Sequence, residues 1–344
     1  MVMKYSIIVP VFNRPDEIDE LLESLSTQTL KDFEVVVVED GSQIPCKDVC
    51  DKYANILDLH YYFKENSGPG QSRNYGVDRA NGEYVLIIDS DAVTPPGFMQ
   101  AIEDELQRQP ADAWGGPDAA HESFTDIQKA ISYAMTSFFT TGGIRGGKKQ
   151  LDKKFYPRSF NLGVRREVYQ QLGGFTKERF SKMSLYGEDL DFSLRIYKNG
   201  YSCRLFPEAW LWHKRRTDFH KFWRQIYNSG YARINLWRKY PEALKPVHVL
   251  PAIFTVGVIL LLLCWITGET LFSTGINQKA GLYMSLCSLS PLILFFALIL
   301  IDSSIRNRSL KVGLLSVPAA FIQLFGYGVG FLESWWTNCI TKRG

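Results

Sequence analysis

Two aspartates end an apolar run in the stretch YVLIIDSDAVTPP, residues 84–96. In extended backbone Asp89 and Asp91 present their carboxylates to one side and Ser90 points to the other. Pro95 and Pro96 stop the strand. Paired carboxylates at a strand end can hold a hard cation such as Mg2+ or Mn2+, which takes oxygen ligands and shares them with phosphates. Alone, such a pair reads more simply as an acidic turn, so its meaning depends on what else the chain brings to it. Asn66-Ser67-Gly68-Pro69-Gly70 is a turn feeding a helix N-terminus, whose free N–H groups suit a phosphate. Arg73 follows within the first helical turn and can add a charged fork. Glu188-Asp189-x-Asp191 opens another helical pattern about a hundred residues after the first pair. Acids there favour the helix dipole, but a carboxylate set apart from a metal pair can also take a proton from a hydroxyl. The glycines fit neither G-x-x-x-x-G-K-[ST] nor a G-x-G-x-x-G directly after the first strand, which disfavours P-loop and dinucleotide enzymes.

The elements that must position these groups alternate over the first ninety residues. YSIIVPVF, EVVVVED, LHYYF and YVLIID read as strands. PDEIDELLESLSTQ, a short stretch near 48–54 and PGQSRNYGVDRA read as the helices between them. All-apolar strands separated by helices predict a parallel sheet covered on both faces, with the ligand at the carboxyl ends of the strands. Those ends carry Asn13, Glu39-Asp40, Lys64-Glu65-Asn66 and Asp89-Ser90-Asp91. Residues 122–140 then read as an aromatic-bearing helix, TGGIRGGKKQ as a glycine-rich loop, SFNLGVRREVYQQLGGF as a strand and helix, and the stretch from Glu188 as a helix.

The ordered series SIIVPVFNRP, VVVVEDGS, NSGPGQSRNYG, YVLIIDSD, NLGVRREVYQQLGGF, GEDLDFSLR and LWH resembles the family 2 glycosyltransferases of the GT-A fold over about residues 4–215. The resemblance implies an α/β nucleotide-diphospho-sugar transferase domain, a Rossmann-like, mostly parallel sheet flanked by helices. It also implies transfer of a sugar from a nucleotide diphosphate donor, a UDP- or GDP-sugar, with inversion at the anomeric carbon and with Mg2+ or Mn2+. By resemblance, Pro10, Phe12, Asn13, Asp40, Arg73, Asp89 and Ser90 would contact the donor. Asp89, Asp91 and His213 would hold the metal, and Asp189 would be the catalytic base. Two motifs depart from the family: its DDGS is Glu39-Asp40-Gly41-Ser42 here, and its GGFDE is Gly173-Gly174-Phe175-Thr176-Lys177.

The remaining chain speaks to surroundings. A net charge of +3 over 344 residues gives no reason to expect nucleic acid. Val249–Ile266, Leu282–Ile301 and Val312–Leu332 are each long enough to cross a bilayer, although Gln323, Pro318 and glycines leave the third open to a bent or interfacial course. The expected organisation is a catalytic domain over 1–218, a basic aromatic interfacial segment over 219–245, and a membrane region over 246–344 with two to three spans. The N-terminus lacks signal-peptide features. Residues 302–311 carry Arg306, Arg308 and Lys311, against only Lys279 as a base in 267–280, which predicts a multi-pass inner or plasma membrane protein with a cytosolic catalytic domain. The terminal Lys342 and Arg343 oppose that bias if the third segment spans. Six cysteines without zinc spacing fit a reducing compartment.

Residues 214–245 hold nine Lys or Arg and two acids. On a helix, Phe219, Phe222, Trp223, Ile226 and Tyr227 form an apolar face. That face either packs on the sheet or lies in the cytoplasmic leaflet among anionic headgroups. The second course favours a lipid-linked glycan or lipid-phosphate acceptor in cell-surface polysaccharide or glycolipid synthesis. The alternatives are a nucleotidyltransferase on a similar fold, or a catalytically silent membrane scaffold, which the retained Asp89, Asp91 and Asp189 oppose. A transporter is disfavoured because the spans lack internal charges.

Overall fold

The computed structural model describes residues 3–119, 124–142, 154–178, 180 and 186–341. β1 (Tyr5–Val11), α1 (Pro15–Ser26), β2 (Phe33–Asp40), α2 (Lys47–Tyr53), β3 (Asp58–Lys64), α3 (Pro69–Val77) and β4 (Tyr84–Ile88) alternate as the apolar pattern predicts. β5 (Ala92–Val93), α4 (Phe98–Arg108), β6 (Ala113–Gly115) and β7 (Asp118–Ala119) follow. Next come α5 (Asp126–Thr136), α6 (Phe138–Thr141), β8 (Asn161–Arg165), α7 (Arg166–Gln171), α8 (Glu188–Lys198), β9 (Cys203–Leu205) and β10 (Leu211–His213). The chain continues through α9 (Phe219–Lys239), α10 (Leu250–Ser273) and α11 (Gln278–Asn307). A last long helix comprises α12 (Leu310–Phe321), a π segment (Ile322–Gly326), α13 (Tyr327–Trp335) and a second π segment (Trp336–Ile340). Most of the glycine-rich loop expected at 141–150 lies outside the described residues.

The chain divides into two compact units. The first holds a seven-stranded sheet in the order β3-β2-β1-β4-β8-β6-β9. β1, β2, β3 and β4 are parallel, while β8 enters antiparallel between β4 and β6. Alternate residues serve opposite faces: Ile7, Val9, Val35 and Val37 join one core with Leu21, Leu22 and Ile102, and Ile8, Val36, Val38, Val85 and Ile87 join another with Val77 and Phe192. Each fully buried side chain of this size stabilises the fold by about 1.5–3 kcal/mol before entropy is subtracted. β3 is the edge strand and only half buried, so its apolar run does not mean coverage on both sides. A three-stranded sheet, β5-β10-β7, sits beyond the end of β4 and sets His213 opposite Ala92.

The second unit is helical. α5 and α9 pack Ala130, Ile131, Ala134, Phe222 and Ile226 against Val312 and Ala319 of α12. Within the helical unit, part of the aromatic face of α9 is therefore covered by α5 and α12. Capping is explicit here: Thr125 and Gln128 form a reciprocal capping box at α5, and Asp218 accepts from Lys221 N–H at α9. α10 and α11 form an antiparallel hairpin whose backbones approach closely where Gly268 meets Gly281 and Ser285. Three helices, Pro246–Ser273, Gln278–Asn307 and Leu310–Ile340, are long and apolar enough to cross a membrane.

Candidate functional site

The carboxyl ends of β1, β2 and β4 bring the sequence-predicted residues together within the first unit. Asn13 leaves β1 with φ 54°, a left-handed conformation that Asn tolerates better than most residues. Its N–H donates to Ser42 Oγ at 2.8 Å, and its Oδ1 accepts from the N–H of Gln43 at 2.7 Å and of Ile44 at 3.0 Å. Glu39, fully buried, accepts from Ser42 Oγ, from Cys46 N–H at 2.6 Å and from Tyr61 Oη at 3.2 Å. The acid that departs from the DDGS pattern thus anchors the loop after β2. Asp40 accepts from the N–H groups of Ser67 and Gly68, each at 2.9 Å, and from Lys64 Nζ, which fixes the turn before α3. Phe12 is 48% exposed, which leaves its ring available at the mouth of the crevice.

Asp89 and Asp91 close β4 with Ser90 buried between them. Arg14 donates to Asp91 Oδ2 at 2.5 Å, and Arg73 donates to Asp89 Oδ1 at 2.9 Å. His213 Nε2 lies 3.2 Å from Asp91 Oδ1 and 3.9 Å from Asp89 Oδ2. The oxygens not taken by the two arginines are those facing the imidazole, and the three groups offer ligand atoms within 4.8 Å of one another. Phe160 stacks on the imidazole with centroids 4.7 Å apart, which fixes the ring's plane. Burial opposes ionisation of Asp91, yet His213 and Arg14 beside it hold its carboxyl well below the usual range. The set fits a divalent cation, with two carboxylate oxygens and one imidazole nitrogen converging from separate elements.

Arg73 does not face open solvent. Its guanidinium is 4% exposed, with one nitrogen on Asp89 and the other donating to Glu188 Oε1 at 2.6 Å. One buried cation therefore joins the β4 carboxylates to the start of α8. Phe175 covers that guanidinium from 5.1 Å, and a Cβ on Gly70 would collide with Glu188 Oε2, so this position admits glycine without rearrangement. Burial pushes the Glu188 carboxyl up to about 7, against the pull of Arg73. Asp189, the next residue, is only partly buried and accepts from Leu190 N–H at 2.8 Å. Asp191 turns inward to Arg195 at 2.9 Å and serves the helix instead of the crevice. Among the three acids, Asp189 has the exposure a base for an incoming hydroxyl needs. Arg14, Glu188 and Phe160 were not assigned from sequence. Arg14 had a signal, standing in FNRP directly after a strand end.

Residues 6–173, just under half the chain, match the family model described as glycosyl transferase family 2. The match assigns this part of the chain to the family 2 glycosyltransferases, and its mixed sheet with flanking helices is the GT-A fold. It is 28% identical over 137 residues to an uncharacterized glycosyltransferase of Rickettsia felis, covering 40% of this chain and 22% of that protein. A glucosyl-dolichyl phosphate glucuronosyltransferase of Haloferax volcanii is 25% identical over 256 residues, 70% of this chain and 80% of the relative. A mannosyltransferase of Pyrobaculum calidifontis, solved with GDP-Man and Mn2+, shares the fold at 18% identity and TM-score 0.56, over 96% of this chain and 87% of that one. The chain spans about a fifth of the Rickettsia relative's length and four fifths of the Haloferax one's.

Proposed function

We propose that the chain is a metal-dependent, inverting, membrane-anchored glycosyltransferase. It moves a sugar from a UDP- or GDP-linked donor to a lipid-phosphate or lipid-linked glycan at the cytosolic face. The observation carrying this reading is the trio Asp89, Asp91 and His213, whose free oxygens converge on the imidazole nitrogen. A cation held there would neutralise the departing diphosphate. Mn2+ suits a mixed oxygen and nitrogen set better than Mg2+, which prefers oxygen.

The protein's own groups supply the rest. Pro10, Phe12, Asn13, Asp40 and Ser90 frame the donor, while Arg73 contributes by fixing Asp89. The acceptor hydroxyl attacks the anomeric carbon from the face opposite the diphosphate and gives its proton to Asp189. The bond to the diphosphate breaks and the anomeric configuration inverts. The apolar helices and the named specificity of the Haloferax relative support a lipid-bound acceptor. Arg306, Arg308 and Lys311 between the second and third apolar helices support a cytosolic catalytic unit. Nucleotidyl transfer gives way to the family assignment.

Titration calorimetry tests the trio. Wild-type protein should bind UDP or GDP in the presence of Mn2+ and lose at least about tenfold in affinity on chelation. Asp91→Asn should abolish the metal dependence with the circular dichroism unchanged. Unaltered metal-dependent affinity in Asp91→Asn sinks the assignment, and no nucleotide binding by the wild type would return the silent scaffold.

A further inference from the structure

We propose that the third apolar helix, Leu310–Ile340, lies in the plane of the membrane surface beside α9, so that the chain crosses the bilayer twice. Length and composition allow it to span. Its contacts within the helical unit do not.

The α10–α11 hairpin provides a scale of depth. Gly268 meets Gly281 and Ser285, and Phe254 lies 5.7 Å from Phe295 between ring centroids. Pro251 and Thr255 therefore stand level with the α11 stretch from Phe295 to Ile299, at the base of the hairpin. The third helix begins at this base: a Cβ on Gly313 would collide with Ser304, and Ser316 shares a 2.7 Å hydrogen bond with Ser303. Phe321 lies 6.2 Å from Phe296 and 6.5 Å from Phe254. Then Gly328 meets Pro251 and Thr255. From Gly313 to Gly328 is about 22 Å of helix at 1.5 Å per residue, yet over that run the level on α11 moves only from Leu300–Ser304 to Phe295–Ile299, about 8 Å. An upright helix antiparallel to α11 would have placed Gly328 near Leu289. Instead, Phe331 clusters with Ala252 and Ile234, and Cys339, Val249, Leu244 and Trp237 pack against that cluster, at or before the entrance of α10.

The neighbour along this course is the second observation. Trp223 packs on Gly326, the Tyr227 carbonyl meets Gly330, Tyr227 Oη donates to Glu333 at 2.5 Å, and Asn338 donates to Asn235 at 3.0 Å. The offset between partners stays nearly constant, so the two helices run parallel and share one depth. α9 exposes Lys221, Arg224, Arg238 and Lys239. Each such cation costs about 2.5–3.5 kcal/mol at a bilayer centre, whereas anionic headgroups attract it. A partner of α9 is thereby held at headgroup level. Half of the third helix's apolar window is buried by protein, against 22% and 17% in α10 and α11, whose far halves expose Leu260, Leu263, Ile266, Leu282 and Leu286. Those far halves are the surfaces that meet the hydrocarbon. The exposed Trp335 and Trp336 suit the interface where indole rings concentrate.

The test compares three single-cysteine chains, Ile276→Cys, Arg308→Cys and Thr341→Cys, after replacing the six native cysteines. A membrane-impermeant maleimide is applied to intact cells and then to permeabilised ones. Thr341→Cys should label together with Arg308→Cys and at least about tenfold differently from Ile276→Cys before permeabilisation. Three spans require Thr341→Cys to label with Ile276→Cys, and that result overturns the proposal. Should the cysteine-free chain fail to accumulate, epitope tags on both ends of the otherwise wild-type chain are probed by external protease. Both tags sharing one fate supports two spans, and opposite fates overturn them. Because the comparison is relative, it stands whichever face carries the catalytic unit.

Discussion

The sheet unit and the helical unit treat charge in opposite ways. In the first, charges are drawn inward and neutralised at close range: Arg73 by Asp89 and Glu188, Asp91 by Arg14, Asp191 by Arg195. In the second, the ion pairs are more exposed and lie near helix ends, as in Lys311 with Asp126 and Arg306 with Asp302. A buried ion pair adds little net stability, but removing one partner leaves an uncompensated charge. Such pairs in a crevice are therefore best understood as fixing geometry. Helix packing without them relies on close backbone approach. The first kind of order is sensitive to single atoms and to pH; the second is sensitive to single methyl groups.

The sharpest way to break this contrast is chemical. Asp189→Asn keeps the size of the side chain but cannot accept a proton, so turnover should fall about 10²–10⁴-fold while donor affinity holds. Paired calorimetry and initial rates check it, and near-normal turnover would move the base to Glu188. A smaller effect is expected in the helical unit. At Gly330 a Cβ would strike the Tyr227 carbonyl, whereas at Gly257 nothing lies within 4 Å. Gly330→Leu should cost about 1–3 kcal/mol as an overpacked contact, lowering the thermal midpoint by several degrees in detergent, with Gly257→Leu close to neutral. Equal midpoints for the two variants would mean that α9 and α13 are not in contact.

The same contrast explains what was legible from sequence. Strand–helix alternation with all-apolar strands placed four polar strand ends in one crevice because parallel βαβ units leave little freedom once the period is clear. Asp89 and Asp91 followed from that, whereas the acids at the start of α8 rested on their spacing and on resemblance. His213 rested on resemblance, since its approach to Asp91 depends on β10 joining a second sheet through pairings distant in sequence. The antiparallel entry of β8 was equally hidden, because a five-residue apolar strand carries no mark of direction. Arg73 was expected at the donor's phosphates. Its burial beneath Phe175 could not be foreseen from a helix-start position alone. In the helical unit, hydropathy marked helices long and apolar enough to cross a membrane but not their course. Gln323, Pro318 and the glycines were the only hints that the third helix differs.

The smallest expected effect separates the two kinds of order through pH. The Glu188 carboxyl is raised from 4.5 to about 7, chiefly by burial. The folded protein then keeps a proton that the unfolded chain has lost, so the stability from this group is fully present below about pH 4.5 and disappears as pH rises to about 7. Asp91 has the opposite sign: its depressed pKa gives stability that is present above its unfolded value of 3.8 and lost as pH falls below it. The window between about 4.5 and 7 therefore reports Glu188 without a contribution from Asp91. A shift of this size is worth at most about 3 kcal/mol, and movement of Arg73 toward Asp89 should return much of it, leaving on the order of 1 kcal/mol. Glu188→Gln retains an oxygen for Arg73 but cannot titrate. Relative to wild type, its thermal midpoint should therefore rise by a degree or two between pH 5 and pH 8, measured without metal. Parallel midpoint curves for the two proteins across that range would show that Glu188 is charged throughout, with its cost met by Arg73. The glycine variants of the helical unit should shift the midpoint equally at both pH values, because overpacking carries no proton.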